Sequence, residues 1–139
     1  MPETRADYRL LRDMPTRWFD NDIYGHLNNT VHYQLFDTAV NAHLVETGVL
    51  DPHTGDTVFL VVESGCRYFA PLSFPEVVTA GLRVAHLGRS SVRYEIGLFG
   101  GEADTAAAEG FFVHVNVDRQ TRKKAPIPDA ARDVLEALR

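Results

Sequence analysis

The segment RWFDNDIYGHLNNTVHY, residues 17–33, gathers two carboxylates, a glycine, two histidines and three asparagines between a predicted strand and a predicted helix. The strand is predicted at residues 8–19, and the helix is the only long apolar one in the chain. Free backbone N–H groups at a helix start, together with the helix dipole, stabilise negative charge nearby. The segment therefore indicates a catalytic carboxylate that is presented beside the N-terminus of a central helix.

The helix is predicted to begin after Asn28 or Asn29 and to end at Gly48. An asparagine side chain can accept a hydrogen bond from the first free N–H groups of a helix, and glycine favours the left-handed conformation that ends one. Apolar residues recur at helical spacing in two adjacent rows, which are Val31, Leu35, Ala39, Ala42 and Val45, and Phe36, Val40 and Leu44. Two rows make a wider apolar face than a surface helix needs.

Four further strands are predicted, at residues 57–69, 76–87, 91–99 and 105–117. The first begins with the apolar run Val58–Val62, which favours a strand buried on both faces. In the last, alternation places four apolar residues on one side, Phe111, Val113, Val115 and Val117. The joints are short and turn-like, as expected between antiparallel neighbours. A terminal amphipathic helix is predicted over residues 128–139, with Pro128 in its first turn.

The predicted order is therefore strand, helix, four strands and a terminal helix. One long apolar helix against a mainly antiparallel five-stranded sheet is an α+β, two-layer arrangement. A length of 139 residues is typical of one domain, so we expect a single domain over residues 1–139. The free sheet face and the sheet edges would be protected by self-association, which predicts a homo-oligomer.

Composition narrows the classes of protein that the chain can belong to. The net charge of -5 argues against a general nucleic-acid binder. A single cysteine, Cys66, excludes an internal disulfide framework and fits a reducing compartment. The first residues lack the apolar core of a signal peptide, and no apolar run approaches the roughly 20 residues that span a bilayer. We therefore expect a cytoplasmic protein that acts on neither nucleic acid nor membrane.

Other kinds of catalytic site are not favoured by the pattern. No His-x-His, His-Glu-x-x-His or cysteine pair accompanies the acidic residues near Asp22, so no metal site is expected. The serines lack a Gly-x-Ser-x-Gly elbow, which excludes the triad of an α/β-hydrolase. Cys66 has no activating partner suggested by the sequence and is interpreted as a small buried hydrophobe. The basic run Arg122–Lys124 is either a solvated stretch of the surface or a site that binds a phosphate group.

The segment Asp20–Asn29 resembles the pattern Asp-x-Asp-x-x-Gly-His-Val-Asn-Asn of hotdog-fold acyl-CoA thioesterases of the 4-hydroxybenzoyl-CoA thioesterase type. A second similarity is Arg67–Leu72, followed by Phe74–Val77. The resemblance covers residues 8–117. It implies the hotdog fold, in which the sheet wraps around the central helix, and hydrolysis of a thioester between an acyl group and coenzyme A. Coenzyme A is then part of the substrate, and no cofactor is expected.

Roles for individual residues follow from the resemblance. Asp22 occupies the position of the catalytic carboxylate, as nucleophile or as general base, and the sequence leaves both open. Asn29 occupies the position whose backbone N–H polarises the thioester carbonyl. His26 has either a catalytic or a turn-packing role. The family's sites lie at a dimer interface, so a homodimer or homotetramer with shared sites is implied. The resemblance also places Arg89, Ser90 and Ser91 where the family holds the phosphates of coenzyme A. From their own chemistry, the aromatic residues Tyr24, Tyr33 and Phe69 either line the acyl pocket or belong to the core, and Gly25 allows a positive φ or a close approach of the substrate.

Other functions on the same fold remain open. An acyl-carrier-protein thioesterase is one, although plant-type relatives carry Asp-x-Asn-x-His and Tyr24 stands here in place of the middle asparagine. A non-catalytic acyl-binding module is another, and the presence of Asp22 argues against it. A dehydratase usually pairs a histidine with an acid on the helix, which His26 and Asp22 match only loosely. Aromatic, short and long acyl groups are all compatible with the sequence.

Overall fold

The computed structural model describes residues 1–139 and contains one antiparallel five-stranded sheet beside two α-helices. The strand order across the sheet is β1-β3-β4-β5-β2. The strands are β1 (Leu10–Pro15), β2 (Thr57–Tyr68), β3 (Val77–Leu87), β4 (Ser91–Gly100) and β5 (Ala108–Asp118). Helix α1 (Asn29–Glu46) packs against β3, β4 and β5, and helix α2 (Asp129–Glu136) packs against β3. The predicted α+β arrangement is confirmed. Neither helix is both long and apolar enough to cross a membrane.

Helix α1 begins and ends as its sequence predicts. Asn28 is the N-cap, and its side-chain oxygen accepts a hydrogen bond from the Thr30 N–H at 3.0 Å. Gly48 follows the helix with a φ of 78°, the left-handed conformation that glycine adopts without strain. The row containing Val40 is fully buried between the helix and the sheet. Val45 was predicted in the other apolar row, but it is 50% exposed because the last turn directs it to solvent.

This difference along one helix gives a stability prediction. Replacing Val40 with alanine should lower the free energy of unfolding by about 2 kcal/mol, because a cavity forms where the side chain is 0% exposed. The same change at Val45 should cost less than about 0.5 kcal/mol, since solvent already reaches it. Urea unfolding of both variants measures the contrast. Equal losses would contradict the packing of α1 described above.

Strand β1 is shorter than the predicted segment 8–19. Its pairing with β3 ends at Pro15, which has no N–H to continue the ladder. The chain then makes a short 3₁₀ turn at Trp18–Asp20, in which the Asp20 N–H donates to the Arg17 carbonyl at 2.9 Å. The segment that precedes the helix is therefore a compact turn rather than an extended strand.

Strand β2 lies at an edge of the sheet, which corrects the prediction that Val58–Val62 is buried on both faces. It pairs only with β5, and its register shifts between Val61 and Glu63. Val62, within this irregularity, is 61% exposed. A continuous apolar run does not distinguish a central strand from an edge strand, so the sequence pattern alone could not separate the two.

Strand β5 packs on α1 through the less apolar of its two faces. Phe111, Val113 and Val115 share one face, as predicted, but Gly110 meets the Phe36 ring of α1 on the other. His114 lies on this inner face and is buried among aromatic rings, with Phe112 at 5.3 Å between ring centroids. Burial lowers the pKa of His114 to about 4, so the ring is neutral at pH 7. Alternation identified the two faces of β5 but not which one the helix covers.

Candidate active site

A cavity of about 710 Å³ lies where the turn before α1 meets the end of β2. The Leu27 N–H donates to the Leu72 carbonyl at 2.6 Å and ties the two segments together. The cavity is lined by Asp22, Tyr24, His26, Leu27, Asn29, His32, Tyr68, Phe69, Ala70, Pro71 and Leu72. Both stretches that resemble the thioesterase family therefore contribute to one cavity.

The turn presents the Asp22 carboxylate to this cavity. The Asp22 N–H donates to the His26 carbonyl at 2.9 Å, and the Gly25 N–H donates to the Asp22 carbonyl at 3.1 Å. Gly25 has a φ of 83°, which a residue with a β-carbon would adopt only with strain. One carboxylate oxygen, Oδ1, accepts from the Tyr24 N–H at 2.8 Å. The other, Oδ2, accepts no hydrogen bond from the chain and is 3.6 Å from His26 Nδ1.

Asp20 stabilises the turn through hydrogen bonds made by its side chain and its backbone carbonyl. Its buried carboxylate accepts hydrogen bonds from the Arg17 backbone N–H and from the Arg17 guanidinium, whose Nη2 is 2.8 Å from Oδ1. The Asp20 carbonyl accepts from the Asn28 N–H at 2.9 Å. Arg17 is thus paired with Asp20, and the only basic side chain within 4 Å of the Asp22 carboxylate is His26.

The Asn29 N–H is the first of helix α1 and donates to no acceptor in the chain. The Asn28 side chain caps Thr30 instead, which leaves the preceding amide free. Asn29 lines the same cavity as Asp22. A free amide at a helix N-terminus can stabilise an oxygen that gains negative charge. The cavity therefore combines a carboxylate with a donor suited to a carbonyl oxygen.

His26 lies beside Asp22, and its position is compatible with both predicted roles. Its Nδ1 is 3.6 Å from Asp22 Oδ2 and 3.3 Å from the Leu27 carbonyl oxygen. The ring stacks on Tyr24 with 6.2 Å between centroids. No group of three or more histidine, cysteine, aspartate or glutamate side chains is arranged to hold a metal ion.

The remaining predicted contacts divide by location. Tyr24 and Phe69 line the cavity. Tyr33 does not, and instead packs edge-on against Phe36 with 5.9 Å between ring centroids. Arg89, Ser90 and Ser91 lie at the β3–β4 turn, beyond the 11 residues of β3. At 3.3 Å per residue, β3 is roughly 35 Å long. A single chain therefore does not bring Arg89–Ser91 to the cavity of Asp22.

Two cavity residues with polar side chains, His32 and Tyr68, were not among the predicted site residues. His32 was interpreted as a polar residue at the edge of the helix, but it is only 4% exposed and lines the cavity. Tyr68, at the end of β2, donates from its hydroxyl to the Asn29 carbonyl at 3.0 Å. His32 follows the N-cap Asn28 by four residues, so helical spacing could have placed its side chain beside the cap.

Comparison with known proteins gives a family and solved relatives. The model of the Thioesterase-like superfamily matches residues 16–138. The crystal structure of the PA5185 protein of Pseudomonas aeruginosa PAO1 is 49% identical, with a TM-score of 0.97 over 100% of this chain and 97% of that one. No curated protein matches the sequence.

Two further structures extend the similarity. The PA2801 protein of Pseudomonas aeruginosa is 30% identical, with a TM-score of 0.83 over 91% of this chain and 97% of that one. A thioesterase of Thermus thermophilus, solved with coenzyme A and zinc, is 28% identical, with a TM-score of 0.72 over 94% of each chain. These similarities confirm the predicted hotdog fold. With a family model that covers nearly all of its length, the chain belongs to the thioesterase-like superfamily.

Proposed function

We propose that the protein hydrolyses acyl-CoA thioesters, releasing a carboxylic acid and free coenzyme A. The observation that carries this proposal is the meeting of the Asp22 carboxylate and the unbonded Asn29 N–H in one cavity. The lining of the cavity also includes the apolar residues Phe69 and Leu72, which suit an acyl group. The thioesterase-like family and the relative solved with coenzyme A support the same reaction class.

In the proposed mechanism, the thioester oxygen accepts a hydrogen bond from the Asn29 N–H. That donor stabilises the negative charge which develops as the carbonyl carbon is attacked. Asp22 either takes a proton from the attacking water or attacks directly to form an anhydride that water then hydrolyses. In both routes the carbon–sulfur bond breaks, and the sulfur leaves as thiolate and is protonated. The acyl carbon gains an oxygen from water in the general-base route, and an oxygen from Asp22 in the anhydride route, whose hydrolysis by water releases the acid and restores the carboxylate.

A second copy of the chain is part of the proposal. The cavity lies at the end of β2, and this strand has no partner on its outer edge. Val61, Val62 and Phe69 expose apolar surface along this side. Unpaired, apolar edge strands tend to pair with another chain. Antiparallel pairing of two β2 strands would place the Thr57 end of one copy beside the Tyr68 end of the other.

Such pairing would also bring a basic region near the cavity. The β3–β4 turn with Arg89 lies at the same end of the sheet as the start of β2, since the Asn116 N–H donates to the Ser90 carbonyl and Asn116 pairs with Phe59. The exposed run Arg122–Lys124 follows β5 at that end. These basic side chains, contributed by a second copy, are suited to bind the phosphates of coenzyme A. A single chain could not bring them to its own cavity.

The dimer is tested by placing a charge on the unpaired edge. Val62→Lys should reduce the mass in solution to that of one 15.5 kDa chain and lower activity, because a lysine on an edge strand opposes pairing. Leu11→Lys, on the other edge strand β1, is the matched control and should leave the assembly unchanged. Light scattering measures both masses. If the Leu11→Lys variant dissociated and the Val62→Lys variant did not, the interface would be formed by β1 instead.

The reaction is tested by thiol release from a panel of aromatic, short-chain and long-chain acyl-CoA substrates, each compared with the same acyl group on acyl carrier protein. We expect turnover of at least one acyl-CoA class and a preference for the coenzyme A form. Preference for the carrier-protein form would favour the carrier-protein thioesterase. Binding of acyl-CoA without turnover would favour an acyl-binding module and contradict the proposed hydrolysis.

A further inference from the structure

His32 is a buried titratable residue at the cavity for which neither the turn nor the proposed mechanism provides a role. Its Nδ1 is 3.3 Å from the Asn28 carbonyl oxygen. A carbonyl oxygen only accepts hydrogen bonds, so Nδ1 must carry the proton. Burial lowers the pKa of His32, which favours the neutral ring. The ring is therefore the neutral tautomer with the proton on Nδ1.

The carbonyl that His32 contacts belongs to the same peptide unit as the Asn29 N–H. This carbonyl oxygen already accepts from the Val31 N–H at 2.9 Å, so His32 Nδ1 is its second donor. Donors at the carbonyl end of a peptide unit draw electron density from its nitrogen and strengthen the N–H at the other end as a donor. The side chain of His32 can thus act on the Asn29 N–H through the peptide unit that joins Asn28 and Asn29.

The neighbouring peptide unit is held in a similar way. Tyr68 donates to the Asn29 carbonyl at 3.0 Å, and the Tyr68 ring meets the His32 ring edge-on with 4.7 Å between centroids. The two side chains therefore support each other as they fix two successive carbonyls at the start of α1. Since a peptide unit is planar, fixing its carbonyl also fixes the direction of its N–H.

We propose that His32 is a positioning residue, which orients and strengthens the Asn29 N–H through its Nδ1 hydrogen bond to the Asn28 carbonyl. The inference rests on the proposed thioester hydrolysis. It assigns His32 to stabilisation of the carbonyl oxygen rather than to proton transfer. The rate of acyl-CoA hydrolysis then depends on the His32 side chain, which acts through the peptide unit rather than on the reacting atoms.

Two variants separate the hydrogen bond from the packing of the ring. His32→Phe keeps a ring against Tyr68 but removes the donor, and we expect kcat to fall about 5-fold to 10-fold, a fraction of the cost of losing an oxyanion donor. KM should change less than about 2-fold, since the effect is confined to the transition state. His32→Asn loses the ring but can place its amide Nδ2–H near the Asn28 carbonyl, and kcat should stay within about 3-fold of wild type.

The outcomes are distinct. Equal loss in both variants, or no loss in either, would overturn the proposal in favour of packing alone, and thermal unfolding of each variant provides the comparison. The pH profile of kcat should keep its shape in both variants. Loss of its acidic or its basic limb would overturn the proposal in favour of proton transfer by His32. Nitrogen NMR of the wild-type ring should show the proton on Nδ1. A proton on Nε2 would refute the inference independently of activity, whereas absence of turnover in the wild type would refute only the proposed function.

Discussion

Asn29→Pro is expected to lower kcat for acyl-CoA hydrolysis by about 10²–10³-fold, the typical effect of removing one oxyanion donor. Proline has no backbone N–H, so the substitution deletes the one group at Asn29 that the mechanism uses. The Asn29 side chain makes no hydrogen bond in the structure, and its carbonyl, which accepts from Tyr68, is retained.

The local backbone is compatible with this change. Asn29 is the first residue of α1, a position that proline favours because its N–H has no helical acceptor. The preceding residue, Asn28, has φ of -56° and ψ of 139°, which is the conformation that a residue before proline prefers. We therefore expect the helix to form and the cavity to keep its shape.

Asn29→Ala is the matched control because it removes the side chain and keeps the N–H. Its kcat should stay within about 3-fold of wild type, while circular dichroism shows the same helix content in both variants. A large loss of kcat in the alanine variant would show that the Asn29 side chain, rather than its N–H, contributes to catalysis. Equal, near-wild-type rates in both would remove the Asn29 N–H from the mechanism.

Asp22→Asn is expected to lower kcat by about 10³-fold, within the range for loss of a positioned acid–base group. The asparagine oxygen can still accept from the Tyr24 N–H, which Asp22 Oδ1 does at 2.8 Å, so the turn should persist. The amide that replaces Oδ2 neither attacks a carbonyl nor takes a proton from water at pH 7. KM should change little if the carboxylate acts only after the substrate is bound.

Asp133→Asn provides the comparison for Asp22→Asn. Asp133 is exposed on helix α2, and its side chain makes no hydrogen bond or ion pair in the structure. The same change of charge there should leave kcat unaltered, as measured by thiol release under identical conditions. If Asp22→Asn retained a rate similar to that of Asp133→Asn, the Asp22 carboxylate would have no chemical role.

The features that sequence analysis predicted well are those fixed by neighbouring residues. Asn28 and Gly48 mark the two ends of α1, because capping depends on side chains and backbone angles within one turn. Asp22 faces the cavity because Gly25 lets the turn close on itself. Such local requirements can be inferred from spacing alone.

The features that it missed depend on contacts between distant segments. Whether Val58–Val62 is central or at an edge depends on which strands pair, and the apolar pattern of the run is the same in both cases. His114 faces the helix because Gly110 on the same face of β5 admits Phe36. His32 reaches the cavity only because the end of β2 lies across the helix start, as the contact with Tyr68 shows.

The role of the Asn29 N–H can be observed in a crystal of the Asp22→Asn variant with an intact acyl-CoA, as the distance from the Asn29 backbone nitrogen to the thioester oxygen. The variant should bind the substrate without consuming it. We expect a hydrogen bond of about 2.7–3.2 Å from the Asn29 nitrogen to that oxygen, with the residue-22 side chain beside the carbonyl carbon. A thioester oxygen held by other donors, or an acyl-CoA bound away from this cavity, would contradict this expectation.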